Sequence, residues 1–302
     1  MSTIISITGD LGSGKSTVSS LLRRHLPYGY IYTGAIQRKI AEKYGMTTTE
    51  LNKYAETHPE IDEEIDNTFR SLNNASDLIV DSRLAWFFIP ASFKVFLKIN
   101  LAVSAERIIR DSRRKNEQYS SVEEAVCHIT ERKQSENKRY MQLYGADCTD
   151  LSRFDLIVDT SFVSPEQVTG IILEAYRHWQ TGKAYTKTLI SPQNLYPIKS
   201  VKKLWAWDMI DQPVQAVHAD AFDFIVDGHR RVSDALKNAQ ELIPVIYINS
   251  KALHSPDITF REHVLHTFNP EVIREWEQFH SFKYLTCPIK HNGNHLRENH
   301  CR

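Results

Sequence analysis

The sequence predicts an α/β protein. A parallel five-stranded sheet with helices on both faces is expected over residues 1–181, and a second, smaller α+β domain over residues 191–302. Three observations carry this reading. Apolar, β-branched runs alternate with stretches of helical periodicity through the first half, the pattern of strand–helix–strand units with a parallel sheet. A glycine-rich turn, Gly9-Asp10-Leu11-Gly12-Ser13-Gly14-Lys15-Ser16-Thr17, joins the first strand to the first helix. A second strand–turn–helix, Phe222–Asp227 followed by Gly228-His229-Arg230-Arg231, comes after a polar stretch near residues 182–192 that reads as a linker.

The elements follow in order. Thr3–Thr8 is a buried strand, and Val18–Arg24 carries apolar residues at helical spacing. Tyr28–Tyr32 is a short aromatic strand, and Thr33 is placed to cap the helix that holds Gly34 and Arg38. Thr47-Thr48-Thr49-Glu50 has the form of a capping box, and Ile61, Ile65, Phe69 and Leu72 line one face of the helix after His58-Pro59. Asp77–Asp81 and Phe93–Ile99 are further strands. A basic helix with Arg107, Arg110, Arg113 and Arg114 follows, and then a long polar helix from about Val122 to Tyr140. Phe154–Asp159 is the last strand of this half, and Ser164-Pro165-Glu166-Gln167 starts a closing helix, with Pro165 at its first position. Thr8, Thr33, Asp81, Asn100 and Thr160 fall near strand ends, where ligands bind in such sheets.

Lys+Arg and Asp+Glu balance at 37 each, so no bulk charge draws the chain to nucleic acid or to an anionic membrane. No apolar run has the length of a membrane span. The four cysteines, Cys127, Cys148, Cys287 and Cys301, form no C-x-x-C pair and read as thiols of a cytoplasmic protein.

The first turn matches G-x-x-x-x-G-K-[ST], and each residue type has a reason. Gly9, Gly12 and Gly14 allow a tight turn that aims backbone N–H groups at phosphate oxygens. The helix start adds unpaired N–H groups and a favourable dipole. Lys15 reaches the β- and γ-phosphates, and Ser16 offers its hydroxyl to Mg2+ with Thr17 behind it. Asp10, Leu11 and Ser13 complete the nucleotide-binding loop. Transfer of the terminal phosphoryl group also needs cations for acceptor and transition state. Arg38 and Arg83 follow strand ends, where a planar guanidinium suits an acceptor phosphate, with Thr33, Gly34 and Asp81 beside them. Arg107, Arg110, Arg132 and Arg139 lie further on, as lid candidates. For Arg113, Arg114 and Lys115 a solvated helix face is the expected role.

These residues resemble the cytidylate kinase family, in its compact archaeal form, over about residues 1–180. The marks are the phosphate loop, Thr33-Gly34 to Arg38, Gly45-Met46 leading to Lys53-Tyr54-Ala55-Glu56, and His58-Pro59-Glu60-Ile61-Asp62. Arg83-Leu84-Ala85, Arg132 to Arg139-Tyr140, Tyr144-Gly145-Ala146-Asp147 and Phe154 to Ser161 complete the set. The resemblance implies a P-loop nucleoside monophosphate kinase, with Mg2+ and ATP as donor and CMP or dCMP as acceptor. It implies Arg38 and Arg83 at the acceptor and Arg132 and Arg139 as lid arginines, with Lys15 at the transferring group. The chain departs from the family in having Asp81-Ser82-Arg83, where a glycine usually precedes the arginine, Gln37 where a phenylalanine is usual, and a bulky Ala85-Trp86-Phe87-Phe88. Gln37 and the Trp86-Phe87-Phe88 run point to an altered acceptor pocket, one for a modified pyrimidine nucleotide or another phosphorylated small molecule.

In the second half, Leu195–Ile198, a short helix with Val201, Leu204 and Trp205, the strand Phe222–Asp227 and the strand Ile243–Ile248 are expected. Asp227-Gly228-His229-Arg230-Arg231 places a glycine, free N–H groups and cationic side chains at a helix start, the make-up of a second anion site. With Tyr196-Pro197-Ile198 and Ile243-Pro244-Val245, this turn resembles the ParB/sulfiredoxin-like superfamily over residues 191–250. The resemblance implies nucleotide or phosphate binding. The reductase cysteine is absent, and no DNA-binding helix-turn-helix is evident. Alternative readings are a nucleotide-sensing regulator of the partition-protein type, or a small-molecule kinase acting on an acceptor such as free serine. Helices near Phe260–Thr267 and Pro270–Phe279 precede a polar tail holding Cys287, His291, His295, His300 and Cys301, whose spacing fits no standard metal finger.

Overall fold

The computed structural model describes residues 3–55, 57–111, 119–204, 212–219, 221–248, 267–291 and 295–299. The chain divides into two compact units, each discontinuous in sequence. Unit 1 comprises Met1–Lys98, Glu131–Thr160 and Ser164–Lys187, and unit 2 comprises Ile99–Thr130, Ser161–Val163 and Thr188–Arg302.

Unit 1 is built on strands β1 (Ile4–Gly9), β2 (Gly29–Tyr32), β3 (Leu78–Asp81), β4 (Phe93–Lys98) and β5 (Leu156–Asp159), in the spatial order β2-β3-β1-β4-β5. Every pairing is parallel. Parallel strands covered on both faces must be apolar throughout. Ile5, Ile7, Ile79, Val80, Val95, Leu97, Leu156 and Val158 accordingly lie fully buried. The helices of this unit are α1 (Lys15–His25), α2 (Thr33–Lys43), α3 (Thr48–Ala55), α4 (Pro59–Ser71) and α5 (Ala85–Phe88). A sixth, α6 (Leu101–Arg110), belongs to unit 2, and α7 (Val122–Tyr144) and α8 (Pro165–Thr181) complete the first half of the chain. Two helix starts are capped by side chains as their sequences suggest. Glu50 N donates to Thr47 Oγ1 and Thr47 N to Glu50 Oε2 at 2.7 Å. Ser164 and Gln167 form a reciprocal box with Pro165 at the start of α8, and Gly182 ends that helix in the left-handed conformation. Thr33 is a correction: it is the first residue of α2 rather than its cap, and Tyr32 precedes the helix without a capping side chain.

Unit 2 has a mixed sheet of β6 (Thr188–Ile190), β7 (Leu195–Tyr196), β8 (Val214–Ala219), β9 (Phe222–Asp227) and β10 (Ile243–Tyr247), in the order β6-β10-β8-β9-β7. Strand β10 runs parallel to β8 and antiparallel to β6, β8 antiparallel to β9, and β7 parallel to β9. With α9 (His229–Lys237) and α10 (Pro270–His280), this sheet buries Tyr196, Phe222, Phe224, Trp276 and Tyr284. Asn100 and Ser161, from the loops after β4 and β5, join this unit through hydrogen bonds. Asn100 Nδ2 donates to Asn194 Oδ1 at 2.9 Å and to Thr286 Oγ1 at 3.3 Å, and Asn194 Nδ2 donates to Ser161 Oγ at 2.9 Å.

Two features of unit 2 differ from the sequence expectation. The polar linker contains β6, whose Ile190 is fully buried against β10, too short a segment to show a period. The expected polar tail contains an antiparallel hairpin of β11 (Cys287–His291) and β12 (His295–Asn299), with His291 opposite His295. Trp205, the Phe260–His266 part of the expected helix, Arg113, Arg114, Lys115, His300 and Cys301 lie outside the described residues. Among the described residues no helix is long and apolar enough to cross a membrane, and no group of three or more His, Cys, Asp or Glu is placed to hold a metal.

Candidate active site

The turn from β1 to α1 is shaped by close approach. Gly9 has φ 154°, and a Cβ there would lie 2.3 Å from the carbonyl oxygen of Leu97 on the neighbouring strand. Asp10 N donates to that same oxygen at 3.0 Å, so the loop is laced to β4 where a side chain would not fit. Gly14 heads α1 in the left-handed conformation, φ 83°, with no side-chain cap on the helix. The first N–H groups of α1 are thus presented by the backbone alone, the arrangement an anion requires. Lys15 Nζ donates to the carbonyls of Gly9 and Asp10, both at 2.9 Å, and Ser13 Oγ donates to Asp10 O at 2.8 Å. Lys15 therefore rests over its own loop, on two backbone carbonyls and within the field of the Asp10 and Asp81 carboxylates.

Register then places the acidic residue. Ile7 of β1 and Tyr32 of β2 both pair with Asp81 at the end of β3. Ser16 Oγ donates to Asp81 Oδ2 at 3.3 Å, and Tyr30 OH donates to the same oxygen at 3.2 Å. Burial pushes the Asp81 carboxyl up, offset in part by Lys15 and by the Tyr30 and Ser16 hydroxyls. A hydroxyl beside a buried carboxylate is a hard-oxygen donor set of the kind Mg2+ takes, and a divalent cation would relieve the burial cost of the charge. These residues therefore fit the metal that the loop motif implies.

The candidate arginines divide. Arg83, just beyond β3, pairs with Glu136 of α7, and Arg132 Nε reaches the other oxygen of Glu136 at 2.9 Å. Two guanidinium groups from distant segments thus meet at one half-buried carboxylate. Arg139 is held instead by Asp62 of α4, at 2.5 Å. Arg38 is exposed, bonded to the Tyr32 hydroxyl with its guanidinium 5.1 Å from that ring's centre, and Gly34 lies against the same ring. In unit 2, Arg107 donates to the carbonyl of Ser161 and Arg110 pairs with Glu106.

The bulky run after Leu84 is mostly core. Trp86 packs on Phe154 with ring centres 5.7 Å apart, and Phe88 stacks on Phe69 at 6.0 Å. Only Phe87 of the three is part-exposed, near Tyr144. The altered-pocket expectation is thereby reduced to Gln37 and Phe87.

Three partners escaped the sequence reading. Lys133 of α7 reaches Asp10 Oδ1 at 2.7 Å, Glu136 gathers Arg83 and Arg132, and Tyr30 holds Asp81. Each joins segments far apart in the chain. The only signal in the sequence was the helical spacing of Arg132, Glu136 and Arg139.

These features can be set beside known proteins. The chain is 39% identical over 176 residues to the cytidylate kinase of Pyrococcus abyssi, a match that covers 58% of this chain and 94% of that protein. The chain belongs to the cytidylate kinase family. It is 37% identical over 191 residues to the cytidylate kinase of Thermoplasma volcanium, covering 62% of this chain and 97% of that one. Residues 5–137 match the family described as AAA domain. Among solved structures, a shikimate kinase from Bacteroides thetaiotaomicron aligns over 58% of this chain and 98% of its own, with 17% identity and a TM-score of 0.42. This member of the cytidylate kinase family is a nucleoside monophosphate kinase.

The second expected anion site has a different make-up. Gly228 has φ 90° and heads α9 without a side-chain cap, as Gly14 heads α1. Its charged groups, however, are committed to the protein. Arg231 pairs with Asp227 at 2.6 Å and donates to the carbonyls of Gln212 and Pro213. His229 is buried and its Nε2 accepts from Ile198 N at 3.2 Å. Burial, with a contribution from Lys199, pushes its pKa down to about 3, so the ring is neutral. Arg230 lies 3.7 Å from Asp234. The turn has the backbone form of the expected anion site, while its His229, Arg230 and Arg231 side chains are engaged within the protein.

Proposed function

We propose that the chain transfers the terminal phosphoryl group of ATP, with Mg2+, to a pyrimidine nucleoside monophosphate, CMP or dCMP. Gly9 to Thr17 hold the nucleotide, with Lys15 leaving its carbonyl acceptors for the β- and γ-phosphates. Ser16 would hold Mg2+ with Asp81 beside it, and the ion would supply positive charge against that developing on the phosphates. Arg132 and Arg139 act at the transferring group, and Arg38 and Arg83 at the acceptor phosphate with Thr33 and Gly34. The observation that carries this reading is the meeting of Arg83 and Arg132 at Glu136, which brings one acceptor-side and one lid-side guanidinium together at a single carboxylate. The acceptor is taken as unmodified because Trp86 and Phe88 fill the core rather than a pocket.

The test is ADP release with CMP, dCMP, UMP, AMP, modified cytidine monophosphates and free serine as acceptors. Fastest turnover on CMP or dCMP is expected. A modified nucleotide preferred tenfold or more over both would restore the altered pocket, and release with serine alone would move the reaction to another site.

A further inference from the structure

We propose that Asp10 and Lys133 are a positioning pair, in which Lys133 neutralises an acid built into the phosphate loop and ties α7 to that loop. The inference rests on the reading of this loop as the ATP site. An anionic side chain in a loop that must bind a polyphosphate opposes its own function, because like charges a few ångströms apart repel strongly in a partly buried setting. Asp10 cannot escape that role by turning to water: its side chain is only 13% exposed. Burial pushes its carboxyl up, but Lys133, then Lys98 and Lys15, outweigh burial and hold it below the ordinary value, so it stays ionised. Lys133, the nearest of these cations, contributes both a hydrogen bond at 2.7 Å and the largest attraction.

The location of Lys133 gives the pair its second consequence. It precedes Glu136 by three residues on α7 and follows Arg132 directly. Residues three and four apart share a helix face, so this stretch of α7 is fixed at two points. Lys133 fixes it to the β1–α1 turn, and Glu136 fixes it to Arg83 beyond β3. Arg132 stands directly before the first anchor and one turn before the second. The pair thus sets where the lid arginine stands relative to the loop that holds the transferable phosphate.

The test compares wild type with K133Q, K133R, D10N and the double variant D10N/K133Q, by calorimetric binding of Mg·ATP and by separate kcat and KM values. K133Q removes the nearest and strongest of the cations that compensate Asp10 and is expected to weaken Mg·ATP binding about tenfold. K133R keeps the charge and restores binding. The double variant removes both charges, so binding returns to within about threefold of wild type while kcat stays reduced, because α7 has lost its anchor. D10N alone keeps binding but lowers kcat. If K133Q and the double variant lose the same affinity, Lys133 touches the nucleotide itself and the positioning role is overturned. If K133Q binds as wild type does, the neutralising role is overturned. Failure of the wild type to bind Mg·ATP would instead remove the loop reading on which the pair depends.

Discussion

The β1–α1 turn and the β9–α9 turn have the same backbone form and opposite chemistry. Each follows a strand, each passes through a glycine in the left-handed conformation, and each starts a helix with no side-chain cap. They differ in what their cations hold. Lys15 rests on two neutral backbone carbonyls. Arg231 is bound to a carboxylate and two carbonyls, and His229 is buried and uncharged. The contrast lies in where an exchangeable positive charge stands: Lys15 lies on the carbonyls of its own turn, whereas Arg231 is tied to Asp227 and to the carbonyls of Gln212 and Pro213.

Four measurements would break or sharpen this contrast. The largest effect is expected from Lys15→Ala, which should lower ADP release by ~1,000-fold, about 4 kcal/mol of transition-state stabilisation. A loss of less than tenfold would place the exchangeable charge elsewhere. Next is Gly9→Ala, whose Cβ would meet the backbone oxygen of Leu97 at 2.3 Å. It should cost about 3 kcal/mol or more in denaturant unfolding, because a strand backbone must move.

Third is the pH dependence of stability from His229. Its folded pKa, about 3, lies below the ordinary 6.5, so between those values the unfolded chain binds a proton that the folded chain does not. Stability therefore falls as pH drops below about 6.5, by about 2 kcal/mol at pH 5. Melting curves of wild type and His229→Gln should converge toward low pH; parallel curves would mean that the ring is not held neutral. The smallest effect is expected from Gly228→Ala. There the φ of 90° is unfavourable for alanine, but the Cβ meets only the movable end of Arg231 at 2.7 Å. A cost of about 1–2 kcal/mol is expected, below that of Gly9→Ala. The reverse order would mean that the second turn is the more tightly built.

Much of unit 1 was legible because its signals are local. The phosphate loop, the capping boxes at Thr47 and Ser164, and the strands ending at Asp81 and Asp159 each declare themselves within ten residues. Unit 2 was less so. Strand β6 is three residues long, and β8 lies in a segment whose alternation was not recognised. The Trp86-Phe87-Phe88 run misled because sequence shows bulk but not direction: Trp86 and Phe88 turned out to fill the core.

The candidate site shows the same division. The chain order alone determined a nucleotide loop between a strand and a helix, since the glycines, the lysine and the hydroxyl act through neighbouring backbone. It also supplied the arginines as candidates. Only the tertiary structure decided which of them meet: Arg83 and Arg132 at Glu136, Arg139 at Asp62, and Lys133 at Asp10 across 123 residues of chain. The reason is physical. A phosphate loop is a property of local backbone geometry, whereas the pairing of a long charged side chain depends on which carboxylate the packing of helices brings within a few ångströms, and spacing in the sequence does not encode that distance.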